Sequence, residues 1–149
     1  MSTDGYVRDL RASIGSRPVN FIGAAALITD TGGRILLGQR TGGQTWGVPT
    51  GISELGEALE DTLRREVHEE TGLHVQSAHL LEVISGPDTH HRLANGHEFY
   101  AYTALYRVTA WSGTPEPDGV EIAALAFFAP DDLPALVGPV TRRAAQALA

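Results

Sequence analysis

The sequence predicts an α/β domain, and three observations carry that prediction. Apolar, β-branched runs closed by Gly or Asp recur along the chain. One central segment, Ala58 to Thr71, spaces its apolar residues for a helix rather than a strand. The C-terminal stretch is again helix-forming, and 149 residues suffice for one domain with a real core.

Taken in order, residues 1–18 lack strong periodicity and read as an N-terminal arm or short helix, folded over the body or across a homodimer. Residues 19–149 form the domain. "VNFIGAAALITD" and "RILLGQR" are strands around the turn "TGG", expected as a hairpin. "TGGQTWGVPTGISELGE" reads as a long Gly-rich loop stiffened only at Pro49, and Gly72 stands where the helix needs a left-handed C′ residue. "LHVQSAHLLEVISG", "HEFYAYTALYRVTAW" and "EIAALAFFAP" are further strands, and "DDLPALVGPVTRRAAQALA" closes as helix divided by its prolines.

Composition narrows the function. With 18 acidic against 11 basic residues the formal charge is −7, which argues against broad binding to nucleic acid or anionic membrane. The absence of cysteine excludes disulfides, thiolate zinc sites and a cysteine nucleophile. "MSTDGYVRDLRASIGSRP" lacks a signal-peptide apolar region and no run has membrane-span length, so a cytoplasmic protein is expected.

The central helix carries the chemistry. With Leu59 at zero and 100° per residue, Leu63 falls near about 40° and Val67 near about 80°, an inward stripe. Glu60, Asp61, Arg64, His68 and Thr71 read as the solvated face. Glu66, Glu69 and Glu70 gather within roughly 100° of arc beside the stripe, at the helix end whose partial charge is already negative. Such acids repel one another and lose hydration unless a cation compensates them. Arg65 can bond Glu69 but cannot balance three acids, so a hard divalent ion with oxygen ligands, Mg²⁺ or Mn²⁺, is expected.

With the loop included, "GISELGEALEDTLRREVHEETGL" resembles the Nudix box, G-x5-E-x7-R-E-U-x-E-E-x-G-U with U bulky and aliphatic. Gly51, Glu57, Arg65, Glu66, Val67, Glu69, Glu70, Gly72 and Leu73 all match. "RPVNFIGAAALITDTGGRILLGQR", "WGVPTGISELGE" and "AFFAPDDLP" extend the likeness, while Thr50 departs from the Gly of many members. The resemblance implies an α/β/α sandwich around a mixed sheet and Mg²⁺- or Mn²⁺-dependent hydrolysis of a nucleoside diphosphate linked to X. It makes Glu69 and Glu70 metal ligands and Glu66 a ligand or the orienter of metal-bound water. Glu57 and Arg65 become supports, the Thr50 carbonyl a further ligand, and Glu121 the candidate general base, against a plain exposed loop acid.

Candidate substrate contacts each have a blander alternative. Arg40 meets a phosphate or a surface carboxylate, and Trp46 stacks on a base or packs beneath the loop. His90, His91 and His97 touch substrate or are surface histidines; adjacent His90 and His91 point to opposite faces of a strand and do not share one metal. Tyr100 and Tyr102 are expected to pack on the sheet. For X, a nucleoside triphosphate leads, with ADP-ribose, whose hydrolases carry a proline near the position of Pro87, and nucleotide sugars behind. No coenzyme A or NADH signature is present, the missing cysteine argues against an isopentenyl diphosphate isomerase, and the net charge argues against RNA decapping. The rival of another class is a Nudix-fold module that senses a nucleotide without cleaving it.

Overall fold

A computed structural model describes residues 5–148. Its strands form two sheets that share one body. The larger runs β4 (Thr50–Ile52), β1 (Val19–Leu27), β7 (Glu98–Ser112), β5 (His74–Ile84), with β6 (His90–Arg92) also on β7. The smaller runs β3 (Trp46–Gly47), β2 (Ile35–Arg40), β8 (Ile122–Phe128). β1 and β7 are parallel and the other pairings antiparallel, which makes the mixed sheet that the sequence predicts.

Helices lie on both faces. α2 (Leu59–Thr71) places Leu63 and Val67 on Ala24, Ala26, Ile28, Ala104, Tyr106 and Val108. Each of those two side chains contributes about 2 kcal/mol by leaving water. The alternate residues Ala25, Leu27 and Leu105 pack against Ala144 and Ala145 of α3 (Pro139–Gln146), as the two-residue strand period requires. α1 (Tyr6–Ile14) is fixed by Arg11, whose guanidinium donates to the carbonyls of Gly15, Arg17 and Glu98 and lies 5.6 Å from the Phe21 ring. Over residues 5–18 the arm is therefore a helix docked on the body of its own chain.

Three expectations need correction. β1 and β2 are not a hairpin: they meet only where Thr29 bridges Ile35 and the Leu36 amide donates to the Ile28 carbonyl. Both edges of β1 are taken by β4 and β7, and residues 23–27 of β1 and 35–38 of β2 are buried on both faces, so the chain divides them between sheets. The Gly-rich loop contains the short strands β3 and β4, which dock on β2 and β1. At the C-terminus only α3 is helical in 131–148, beginning at Pro139, where a missing amide hydrogen costs nothing.

Candidate active site

The site forms where β4 lies along α2. Its frame is Glu57, just before the helix. Both Glu57 oxygens accept from Arg65 at 2.8 Å, Oε1 also accepts from the Thr62 hydroxyl at 2.7 Å and the Glu54 amide at 3.2 Å. The Arg65 hydrogen bonds, with those of Thr62 and the Glu54 amide, hold the Glu57 carboxyl down at about 2. Arg65 reaches further: Nη2 donates to the Ile52 carbonyl at 3.1 Å, and Nη1 to Glu66 Oε1 at 2.8 Å and Glu69 Oε2 at 3.5 Å. One planar guanidinium thus ties the loop, β4 and the helix acids together.

Glu66 and Glu70 are 1 % and 2 % exposed, whereas the Glu69 side chain is 49 % exposed. Burial pushes the Glu66 carboxyl up. It drives Glu70 up to about 7, against the opposing pull of Arg40 and of the Thr50 amide at 3.4 Å. Glu66 Oε2 and Glu70 Oε2 are buried and accept no hydrogen bond. Native structures rarely leave such oxygens unsatisfied without a bound ion or water. Gly51 makes the arrangement possible, because a Cβ there would overlap the Glu66 carboxylate. Among the described residues, no three acidic or histidine groups already converge on one point.

Arg40 and Glu121 join this centre from the smaller sheet. Arg40 Nη1 stands 3.7 Å from Glu70 Oε2 and 3.8 Å from Glu121 Oε2. The loop bearing Glu121 is built around Asp118 Oδ1, which accepts from the amides of Val120, Glu121 and Ile122, and the Thr41 amide donates to the Glu121 carbonyl at 3.0 Å. Thr50 turns its hydroxyl to the Ala24 carbonyl at 3.1 Å, so its side chain leaves the site clear.

The other candidates stand apart. Trp46 is half-buried with its ring edge-on to Phe128 at 5.0 Å, a packing position. His91 pairs with Phe99 and stacks on it at 4.7 Å, His90 bonds Glu98 at 2.9 Å beside Tyr100, and His97 contacts Asn95. Phe99 is opposite Val19, whereas Gly51 is opposite Ala24, so these histidines begin roughly 16 Å along β1 from the carboxylates. Tyr102 is in the sheet but 39 % exposed.

Several residues that hold the site's frame carry little signal in the sequence. Thr62 lies near about 300° on the helix wheel, in the arc of the glutamates, which was the available signal. Ser53, 2.8 Å from the Thr62 hydroxyl, had none, and Asp118 was announced only by the turn "PDG". Thr71, expected on the wet face, is fully buried: its hydroxyl bonds the Val67 carbonyl at 2.6 Å and its own carbonyl accepts from the Glu116 amide, because the loop after β7 covers the helix end.

Comparison with known proteins agrees with the fold and with the box. The NUDIX domain model matches residues 19–148. A MutT-like protein of Streptomyces ambofaciens is 37% identical over 118 residues, 79% of this chain and 70% of its own. A Bacillus subtilis protein named "Putative 8-oxo-dGTP diphosphatase" is 27% identical, over 81% of this chain and 74% of its own. The crystal structure of a MutT Nudix hydrolase from Burkholderia pseudomallei superposes with a TM-score of 0.72 at 34% identity, covering 87% of this chain and 97% of that one. A complete box, folded with Glu66 and Glu70 buried and Glu69 half-exposed at the end of one helix, is thus found on the expected scaffold: the chain belongs to the Nudix family and is a hydrolase of pyrophosphate bonds.

Proposed function

We propose that this chain hydrolyses nucleoside triphosphates, or closely related nucleotides, with Mg²⁺ or Mn²⁺ held at Glu66 and Glu70. The observation that carries the reading is the pair of buried carboxylate oxygens without a hydrogen-bond donor. Two such groups form a hard-oxygen site that suits a small divalent ion. Glu69, turned outward, and the Thr50 carbonyl would add donors. Held by Glu66 and Glu70, such an ion would supply charge neutralisation for the pyrophosphate oxygens and a more acidic water.

The chain's own residues supply the remainder. Arg65 fixes Glu66 through Oε1, leaving Oε2 without a donor. Glu121 faces the same centre across Arg40 and takes the proton of the attacking water. Glu57 keeps Arg65 in place. The triphosphate assignment is supported by the likeness to the protein named "Putative 8-oxo-dGTP diphosphatase". Other similar proteins are named a putative ADP-ribose pyrophosphatase and an RNA pyrophosphohydrolase, with 48% and 36% of their own lengths matched. His90 and His91 are the candidates for the far part of a long substrate. No helix among the described residues is long and apolar enough to cross a membrane.

The test is phosphate or pyrophosphate release from NTPs, dNTPs, ADP-ribose, nucleotide sugars and dinucleoside polyphosphates, with and without Mg²⁺ or Mn²⁺. Metal-dependent turnover strongest on triphosphates is expected. Preference for ADP-ribose or a nucleotide sugar would replace the substrate assignment, and metal binding without turnover of any member would favour a sensing module.

A further inference from the structure

Charge balance within the site separates its two arginines. Glu57, Glu66 and Glu69 all lie within ion-pair distance of Arg65. Glu70 and Glu121 instead share Arg40, and they share a single nitrogen, Nη1, at 3.7 and 3.8 Å. Those separations are too long for good hydrogen bonds. Arg40 therefore lowers the cost of the buried Glu70 charge while leaving the lone pairs of Glu70 Oε2 unfilled.

The surrounding backbone explains why the side chain reaches this point. Arg40 is the last residue of β2, where the register against β8 shifts between Gln39 and Arg40. Irregularities of this kind re-aim a side chain beside functional sites. Thr41 then bonds the carbonyls of Val120 and Glu121, holding the Glu121 loop against the end of β2. The backbone on both sides is fixed, while the Arg40 side chain is 38 % exposed and has room to move.

We propose that Arg40 is the resident counter-cation of the metal-free site, standing in for the divalent ion at Glu70 and yielding that position when the ion is bound. This rests on the metal-site reading given above. A guanidinium within about 4 Å of an oxygen that also ligates a divalent ion is repelled by it. Arg40 then leaves Glu70 for the polyphosphate, the nearest new anion. It is a positioning residue in the empty site and a phosphate contact in the filled one.

The experiment is calorimetric titration of Mn²⁺ into the metal-free full chain, as wild type, Arg40→Gln and Arg40→Lys. Arg40→Gln is expected to bind Mn²⁺ roughly three- to tenfold more tightly than wild type, because the competing charge is gone. Arg40→Lys, which keeps the charge on one ammonium, is expected to fall between them. Metal-free Arg40→Gln should melt below wild type, with the gap closing at saturating Mn²⁺, and KM for nucleotide should rise more than kcat falls. A purely structural role for Arg40 predicts the opposite sign, weaker Mn²⁺ binding in the Gln variant. Equal or weaker binding by Arg40→Gln, or equal binding by wild type and Arg40→Lys should the Gln variant not fold, overturns the inference while leaving the metal site standing. Wild type that binds no Mn²⁺ overturns both.

Discussion

Replacing Glu70 by Gln should stabilise the metal-free protein at pH 8 while removing its activity. Glu70 is 2 % exposed, one oxygen has no donor, and burial raises its carboxyl from 4.5 to about 7. An acid whose folded value is raised binds more protons folded than unfolded, so stability falls as pH rises from about 4.5 to about 7. At pH 8 the ionised side chain costs about 3 kcal/mol, and at pH 5 about 1 kcal/mol. Gln carries no charge and escapes that dependence, although its amide meets its own packing cost at both pH values. The difference in stability, Glu70→Gln minus wild type, should therefore be about 2 kcal/mol more favourable at pH 8 than at pH 5. For a chain of this size that is roughly 4–8 °C in Tm. The assay is thermal unfolding in EDTA at both pH values, then with Mn²⁺. Mn²⁺ at a thousand times Kd should reverse the order at pH 8, since wild type then gains about 4.1 kcal/mol and the variant does not. A difference that does not change with pH would refute the reasoning, because it would mean Glu70 is not a buried charge.

Other predictions use the same geometry. Glu57→Gln should cost about 1–2 kcal/mol at pH 7 by urea unfolding, allowing for partial exposure. Because the folded Glu57 carboxyl is lowered to about 2, that contribution is present above about pH 4.5 and disappears toward pH 2, so the two proteins should converge in acid. Gly51→Ala, which sets a methyl against Glu66, should lose roughly 1–3 kcal/mol and most turnover, with both read on the same preparation. Glu121→Gln should lower kcat by roughly 10²–10⁴-fold while circular dichroism and Mn²⁺ affinity stay near wild type; weaker metal binding would make Glu121 a ligand instead.

How much was legible in the sequence depended on how local the cause was. α2, its stop at Gly72 and the arc of Glu66, Glu69 and Glu70 follow from a 3.6-residue period and one left-handed glycine, so they could be read directly. The wheel placed the three glutamates together but not their unequal depth, since the cover over Glu66 and Glu70 comes from β4, a strand paired through β1. Thr71 was misplaced for a related reason: a distant loop buries it. The division of β1 from β2 was illegible because a run that is apolar on both faces carries no alternation to choose a partner. Nor does spacing show that Arg40 and Glu121, far apart in sequence, meet at Glu70.

The central claim is that Glu66 and Glu70 form the metal site of this hydrolase, and Mn²⁺ titration followed by electron paramagnetic resonance tests it most directly. Wild type should capture Mn²⁺ and release it to excess Mg²⁺, while a Glu66→Gln, Glu70→Gln double variant with native circular dichroism should leave the free-ion spectrum unchanged. Equal capture by the folded double variant would contradict the account and place the metal elsewhere.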